Sequence, residues 1–121
     1  MQQLPELNRE YHIFDDGKIR PSRHWTALIK DYIPFEECTD EGLLKAWQEH
    51  VKECGFLFEE FTDYFIVAIS DYDPNPLYFV RTIDGGWFSI DYPTTWMGAR
   101  LDIDGSLYKQ MQELYPEASS L

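Results

Sequence analysis

Short runs in which apolar and polar residues alternate predict β-strands in the first third of the chain. Residues 9–14 (REYHIF) alternate, and the tight-turn signal DDG at 15–17 follows them. Residues 18–20 are therefore expected to return as a partner strand. Residues 24–33 (HWTALIKDYI) form a longer alternating run, which Pro34 ends.

Apolar and aromatic runs predict further strands in the second half of the chain. Residues 64–69 (YFIVAI) are unbroken apolar sequence, which is typical of a central strand buried on both faces. Residues 77–83 and 87–92 are rich in β-formers and are joined by DGG at 84–86, so they predict a hairpin. Residues 98–103 are expected to form a last strand.

The predicted hairpin has one apolar face and one mixed face if Ile83 lies opposite Trp87. The apolar face is predicted to belong to the core, and it carries Tyr78, Val80, Thr82, Phe88, Ile90 and Tyr92. The mixed face carries Phe79, Arg81, Ile83, Trp87, Ser89 and Asp91, with Arg81 diagonal to Asp91. A slip of the strands by one residue would exchange the two faces.

Two segments have the apolar spacing of helices. Residues 39–54 are predicted to form the longer helix, with Thr39 or Asp40 as its cap. Its apolar face is expected to consist of Leu43, Leu44, Trp47, Val51 and Cys54. Residues 105–115 are predicted to form a shorter C-terminal helix, which Pro116 ends.

These elements predict the α+β class. We expect a mainly antiparallel sheet of about five strands packed with one long central helix, about 39–54, and a shorter C-terminal helix, about 105–115. Residues 1–121 are expected to form a single globular domain, with a lead-in at about 1–8 and a frayed tail at 117–121.

The charge of the chain is negative and concentrated in its middle. The formal net charge is −12. Residues 1–35 are neutral overall, whereas residues 36–73 hold eleven acidic and two basic residues, a net −9. Such a surface would repel phosphate backbones and anionic membranes, so we expect neither nucleic-acid binding nor membrane binding. A basic partner would be attracted.

The sequence also bears on compartment and chemistry. The start of the chain does not resemble a signal peptide, and two cysteines are few, so the cytoplasm is the expected location. No catalytic, nucleotide-binding or zinc motif is present, and the calcium-like run from Asp102 has Leu107 where a glycine is needed. We therefore expect no cofactor, no metal and a non-enzymatic role.

The leading hypothesis is a small acidic cytosolic interaction protein that binds a basic protein partner. An antidote to a toxin, or an accessory protein of a phage or mobile element, would be of this type. The expected partner-binding residues are acidic, basic and aromatic side chains from the middle of the chain: Glu59, Glu60, Asp63, Asp71, Asp73, Arg81, Trp87 and Asp91.

Three alternatives stay open at this point. A DNA mimic would use its carboxylates to occupy a DNA-binding protein, and it would require them in regular rows. A small enzyme would use acidic residues of the 59–73 region, which would need a cleft and a raised pKa. A homo-oligomer would cover the abundant aromatic residues, which make up 17% of the chain.

Overall fold

The computed structural model describes residues 5–14, 24–54, 63–71, 74–81, 86–90 and 100–116, without the side chains of His24, Glu53 and Cys54. The described elements are six strands, one short 3-10 helix and two α-helices. In chain order they are β1 (Glu10–Phe14), β2 (His24–Pro34), the 3-10 helix (Phe35–Glu37), α1 (Glu41–Cys54), β3 (Tyr64–Ser70), β4 (Pro76–Arg81), β5 (Trp87–Ile90), β6 (Arg100–Asp102) and α2 (Ser106–Leu114).

The strands form a closed antiparallel barrel. Each strand pairs with the next in chain order, and β6 returns to pair with β1. In that last pair Ile13 lies opposite Leu101 and His12 lies opposite Asp102. Closure gives every described strand two hydrogen-bonded neighbours, so none of them presents a free edge on which other chains could add strands.

The barrel interior is filled by alternate residues of all six strands. Cross-strand pairs that share this inner face include Ile66 with Phe79 and Trp87 with Leu101. The buried interior cluster consists of Tyr11, Ile13, Ala27, Ile29, Ile66, Ala68, Leu77, Phe79, Trp87 and Leu101. A barrel of six strands is narrow, so its side chains occupy the interior.

A β-bulge in β2 changes which residues of that strand face inward. Ile29 pairs with Ala68, but the next partner, Val67, pairs with Asp31, so Lys30 is the extra residue. Before the bulge, Ala27 and Ile29 belong to the interior cluster. After it Tyr32 packs against that cluster, while the exposed Asp31 lies on the outer side.

Helix α1 packs on the outside of the barrel. Asp40 caps it, because the Leu43 amide donates to Asp40 Oδ1 at 3.0 Å. Leu43 is completely buried, and the helix covers outer-face residues of β3, β4 and β5. This second core cluster consists of Leu43, Phe65, Val80, Phe88 and Ile90.

The predicted α+β fold is wrong, because the sheet closes on itself and neither of the two described α-helices occupies the centre of the barrel. The helices lie close to the predicted ranges, at Glu41–Cys54 and Ser106–Leu114. Alternation along each strand fixes which residues share a face. It does not show that β6 lies beside β1, which closes the barrel and joins the outer faces of these two strands into one surface.

The hairpin differs from its prediction in register and in the role of its faces. Arg81, not Ile83, lies opposite Trp87, a shift of two residues that keeps the same side chains together. The face predicted to be mixed holds Phe79 and Trp87, both fully buried inside the barrel. The face predicted to be core packs under α1, so both faces of the hairpin are buried.

Several expectations lie outside the described residues, namely the turn at 15–17, the return strand at 18–20 and the tail at 117–121. In the part of the chain that the structure describes, neither helix is long and apolar enough to cross a membrane.

We expect Leu43→Ala to lower the free energy of unfolding by about 2–4 kcal/mol, because it leaves a cavity between α1 and the barrel. Val51→Ala on the same helix is the matched control, since Val51 is 39% exposed, and it should cost less than about 1 kcal/mol. Urea unfolding followed by circular dichroism measures both. Equal losses would show that α1 does not dock on the barrel through Leu43.

Candidate functional site

Four aromatic side chains meet at one end of the barrel, which we call the tyrosine end: Tyr11, Tyr32, Tyr64 and Trp87. The rings of Tyr32 and Tyr64 lie edge to face, with centroids 6.0 Å apart and planes at 83°. The Tyr64 ring lies 5.6 Å from that of Trp87. The group is therefore continuous across several strands, and its spacing is that of favourable aromatic pairs.

Strand direction and the bulge bring these residues together. Strand β2 ends where β3 begins, since Pro34 pairs with Tyr64. If Lys30 were paired regularly instead of forming a bulge, alternation from Ile29 would turn Asp31 inward and Tyr32 outward. The bulge thus places a phenol in the barrel mouth and leaves the adjacent carboxylate at the surface.

The tyrosine end extends from the interior to the surface. Trp87 is completely buried and Tyr11 is nearly so, whereas Tyr32 and Tyr64 are half-buried. Two polar atoms on the inner wall, Trp87 Nε1 and Ser89 Oγ, have no hydrogen-bond partner among the described residues. This wall of the barrel is polar as well as aromatic.

Arg9 lies over the outermost part of the interior cluster. Its guanidinium carbon is 5.4 Å from the centroid of the Tyr11 ring. Arg9 Nη1 also lies 3.4 Å from Glu6 Oε2, and the Glu6 amide donates to Tyr11 Oη at 3.3 Å. The segment before β1 is therefore held at the barrel end by a cation–π contact with a carboxylate beside it.

Arg81 makes a similar contact at Trp87. Its guanidinium carbon is 5.6 Å from the centroid of the Trp87 ring. The pKa of Asp104 is lowered, first by the Ser106 amide that donates to it at 3.0 Å and also by the positive charge of Arg81. Arg81 thus contacts an aromatic ring, and its charge also acts on the Asp104 carboxylate.

The negative charge near Tyr32 comes from two exposed carboxylates. Burial raises the pKa of the Tyr32 phenol, and Tyr11, Glu6 and Asp31 raise it further. Asp31 Oδ1 accepts the Tyr32 backbone amide at 2.8 Å, which holds the carboxylate against the backbone of β2. The phenol therefore stays protonated at neutral pH.

The structure separates the predicted partner-binding residues. Asp63, Arg81 and Trp87 lie at the tyrosine end, where the exposed Asp63 directly precedes Tyr64. Asp71 follows the opposite end of β3, and its carboxylate accepts the Thr26 amide at 3.3 Å. The remaining four predicted residues lie outside the described residues: Glu59, Glu60, Asp73 and Asp91.

The sequence prediction omitted three tyrosines of this site, namely Tyr11, Tyr32 and Tyr64. Each lies in a strand whose alternating or apolar pattern predicts packing and not binding. The alternation of residues 9–14 does place Tyr11 with Ile13, but the inward position of Tyr32 depends on the bulge. A pattern of period two cannot show an insertion into one strand of a pair.

A second group of polar side chains attaches α2 to the outer face of the barrel. Asp102 is 6% exposed, and its carboxylate accepts the Leu107 amide at 3.2 Å and the Tyr108 amide at 2.9 Å. His12, opposite Asp102 across the strands, stacks on Tyr108 with ring centroids 4.3 Å apart. The carboxylate satisfies amides of the first helical turn, so its role here is to cap α2.

Within the described part of the chain, no group of three or more His, Cys, Asp or Glu side chains could hold a metal ion. Comparisons of the chain with protein-family models, with curated proteins and with solved structures found no match.

Asp102 and Asp104 should affect the pH dependence of stability with opposite signs. Burial raises the pKa of Asp102, although the amides of Tyr108 and Leu107 oppose the shift. A carboxyl whose folded pKa is raised stabilises the fold below its unfolded pKa, about 3.9, and this contribution is lost as pH rises through the folded pKa. The lowered pKa of Asp104 gives a contribution that is present at neutral pH and is lost on acidification.

We therefore expect the stability of the wild type relative to Asp102→Asn to decrease as pH rises from below about 4 to neutral. Relative to Asp104→Asn, the stability of the wild type should increase over the same interval. Urea unfolding of the three proteins across this range measures both differences. A common sign for the two variants would contradict the assignment of Asp102 as the buried carboxylate.

Proposed function

We propose that this protein is a non-enzymatic interaction protein that binds a basic protein partner at the tyrosine end. The observation that carries the proposal is that two half-buried phenols, Tyr32 and Tyr64, lie at the same end of the barrel as two exposed carboxylates, Asp31 and Asp63. Aromatic residues are typical of the centre of protein interfaces, and charged residues are typical of the rim.

The balance of charge at this end supports a cationic partner. Arg9 pairs with Glu6, and the charge of Arg81 acts on Asp104 and on the Trp87 ring, so both local arginines interact with groups of the protein itself. Among the described residues, neither Asp31 nor Asp63 forms an ion pair. Because the chain also carries a net charge of −12, these carboxylates would attract a basic surface and increase its rate of association.

The exposed face of α1 is a less suitable surface for the same partner. Lys45 and Lys52 alternate with Glu41 and Glu49 along it, so positive and negative charges are mixed. The large side chains of this helix, such as Trp47, pack against the barrel. The tyrosine end therefore combines aromatic area with net negative charge in a way that α1 does not.

A small protein that neutralises a basic toxin, or an accessory protein of a phage or mobile element, would use such a surface in the cytoplasm. DNA mimicry needs carboxylates in regular rows. Asp31 and Asp63 instead each precede a tyrosine at one end of the barrel. Competition with DNA for a DNA-binding protein would separate the two functions.

Neutralising Asp31 and Asp63 together should weaken binding to basic proteins by about three- to ten-fold at low ionic strength, because two unscreened attractions are lost. The matched control replaces Glu49 and Glu113, two exposed carboxylates on α1 and α2, with glutamine and so changes the net charge by the same amount. The comparison is therefore between D31N/D63N and E49Q/E113Q. Biolayer interferometry against a panel of small basic proteins, at low and high salt, measures the dissociation constants.

The comparison of the two variants shows whether binding depends on the position of the carboxylates or only on the net charge. A larger loss for D31N/D63N, which shrinks at high salt, supports binding at the tyrosine end. Equal losses for both variants would show that the net charge alone attracts basic proteins. Failure of the wild type to bind any member of the panel at low salt would remove the main support for an interaction protein.

A further inference from the structure

An apolar patch lies on the outer face of the barrel, on the part of β2, β3 and β4 that α1 leaves uncovered. Ile29 and Ala68 belong to the interior cluster, so their strand neighbours Leu28 and Ile69 point outward. Among the large apolar side chains of the described strands, Ile69 is the most exposed, at 37%. We call this surface the outer apolar patch, and it consists of Leu28, Val67, Ile69 and Pro76.

The strand register makes the four residues of the patch neighbours. Ile69 lies directly opposite Leu28 on one side and Pro76 on the other. Val67 is two residues before Ile69, so their side chains are adjacent on the same face. The second core cluster, under α1, includes Phe65 but none of the four patch residues. Contiguous apolar surface with a polar border marks interaction sites, which scattered apolar side chains do not.

Three exposed carboxylates border the outer apolar patch. Glu10 lies opposite Leu28 across β1 and β2, and Asp31 lies opposite Val67 across β2 and β3. Asp71, just beyond the end of β3, adds the third. Among the described residues, none of these carboxylates forms an ion pair. The patch therefore has an apolar centre and an acidic rim, formed by Glu10, Asp31 and Asp71.

We propose that the outer apolar patch is a docking surface for a basic, amphipathic segment of the partner protein. The inference rests on the proposed function, because it adds a second contact surface for the same basic partner. Apolar side chains of the segment cover Ile69 and its neighbours, while lysine or arginine side chains beside them face the acidic rim. An apolar centre with a polar rim is the usual arrangement of protein interfaces.

The charges of the rim favour a basic partner over a second copy of the chain. Two copies that met symmetrically through this patch would bring the same three carboxylates together from both sides. The exposed Lys30, next to Asp31 in the bulge, adds one positive charge per copy and does not balance them. Each copy also carries a net charge of −12, so repulsion opposes their association. A basic segment instead neutralises the rim.

Asp31 connects the outer apolar patch with the tyrosine end. Its carboxylate lies on the outer side of β2, opposite Val67, whereas the next residue, Tyr32, packs against the interior cluster. Val67 and Ile69 are two residues, about 7 Å, apart along β3. A partner that binds Asp31 at the tyrosine end therefore reaches Ile69 by continuing along the outer face of the same strands.

The test uses three peptides of one length: lysines around two central leucines, lysines around two central serines, and glutamates around two central leucines. We expect the wild-type protein to bind the lysine–leucine peptide about three- to ten-fold more tightly than the lysine–serine peptide, because only leucine buries apolar area at the patch. The glutamate–leucine peptide should bind least, because the rim repels it. Isothermal titration calorimetry at low and high salt measures the affinities.

Ile69→Ser should remove the preference for leucine over serine and leave salt-dependent binding of both lysine peptides. The matched control is Val51→Ser on α1, because Val51 is also β-branched and its exposed fraction is 39% against 37% for Ile69. The control should keep the preference. Thermal unfolding shows that each variant is folded at the assay temperature, and the comparison of leucine with serine in the wild type needs no variant at all.

A leucine preference that Ile69→Ser removes and Val51→Ser keeps supports docking at the outer apolar patch. Equal wild-type affinities for the two lysine peptides, both weaker at high salt, overturn the docking surface and leave the proposed function standing. A preference that survives Ile69→Ser also overturns it, because the apolar contact then lies elsewhere. Absence of binding to every lysine peptide and basic protein overturns the proposed function itself.

Two further results would overturn the choice of occupant. Binding of the glutamate–leucine peptide as tightly as the lysine–leucine peptide would show that the rim does not select a basic segment. Sedimentation velocity of the wild type and Ile69→Ser tests the second copy. A wild-type dimer that Ile69→Ser dissociates would assign the patch to self-association, whereas a monomeric wild type supports a separate partner.

Discussion

The pairing of β1 with β6 is the constraint on which the rest of the structure depends. It joins the first described strand to the last, places Ile13 opposite Leu101, and turns an open sheet into a barrel. Because the closed interior is narrow and filled by side chains, exposed polar chemistry is confined to the ends and the outer face. The tyrosine end and the Asp102 cap of α2 are both consequences of this closure.

One extra residue in β2 then sets the character of the barrel mouth. Lys30 shifts the register, so Ile29 and Tyr32 both face inward. The same shift puts Asp31 outside, where its carboxylate accepts the Tyr32 backbone amide. A β-bulge therefore places a phenol on the inner face and a carboxylate on the outer face of this strand end, which is consistent with the frequent placement of bulges at barrel rims.

The carboxylates of this acidic chain have different roles, and position decides between them. Asp102 is buried and caps α2, and Asp71 binds the Thr26 amide beyond the end of β3. Glu6 accompanies an arginine, whereas Asp31 and Asp63 are exposed and form no ion pair among the described residues. A carboxylate that is already bonded within the fold offers less to a partner, so the exposed pair is the more informative target for mutation.

The sequence by itself determined the local elements: the helix that Asp40 caps, the helix before Pro116 and the strands with their alternating faces. It also placed Arg81 and Trp87 on one face of a hairpin. Only the tertiary structure decided that this face lines a barrel, that α1 lies outside it, and that Tyr32 turns inward. The physical reason is the separation along the chain of the residues that interact. Capping and alternation are set by residues within a few positions, whereas closure and the bulge depend on pairing with strands far along the chain.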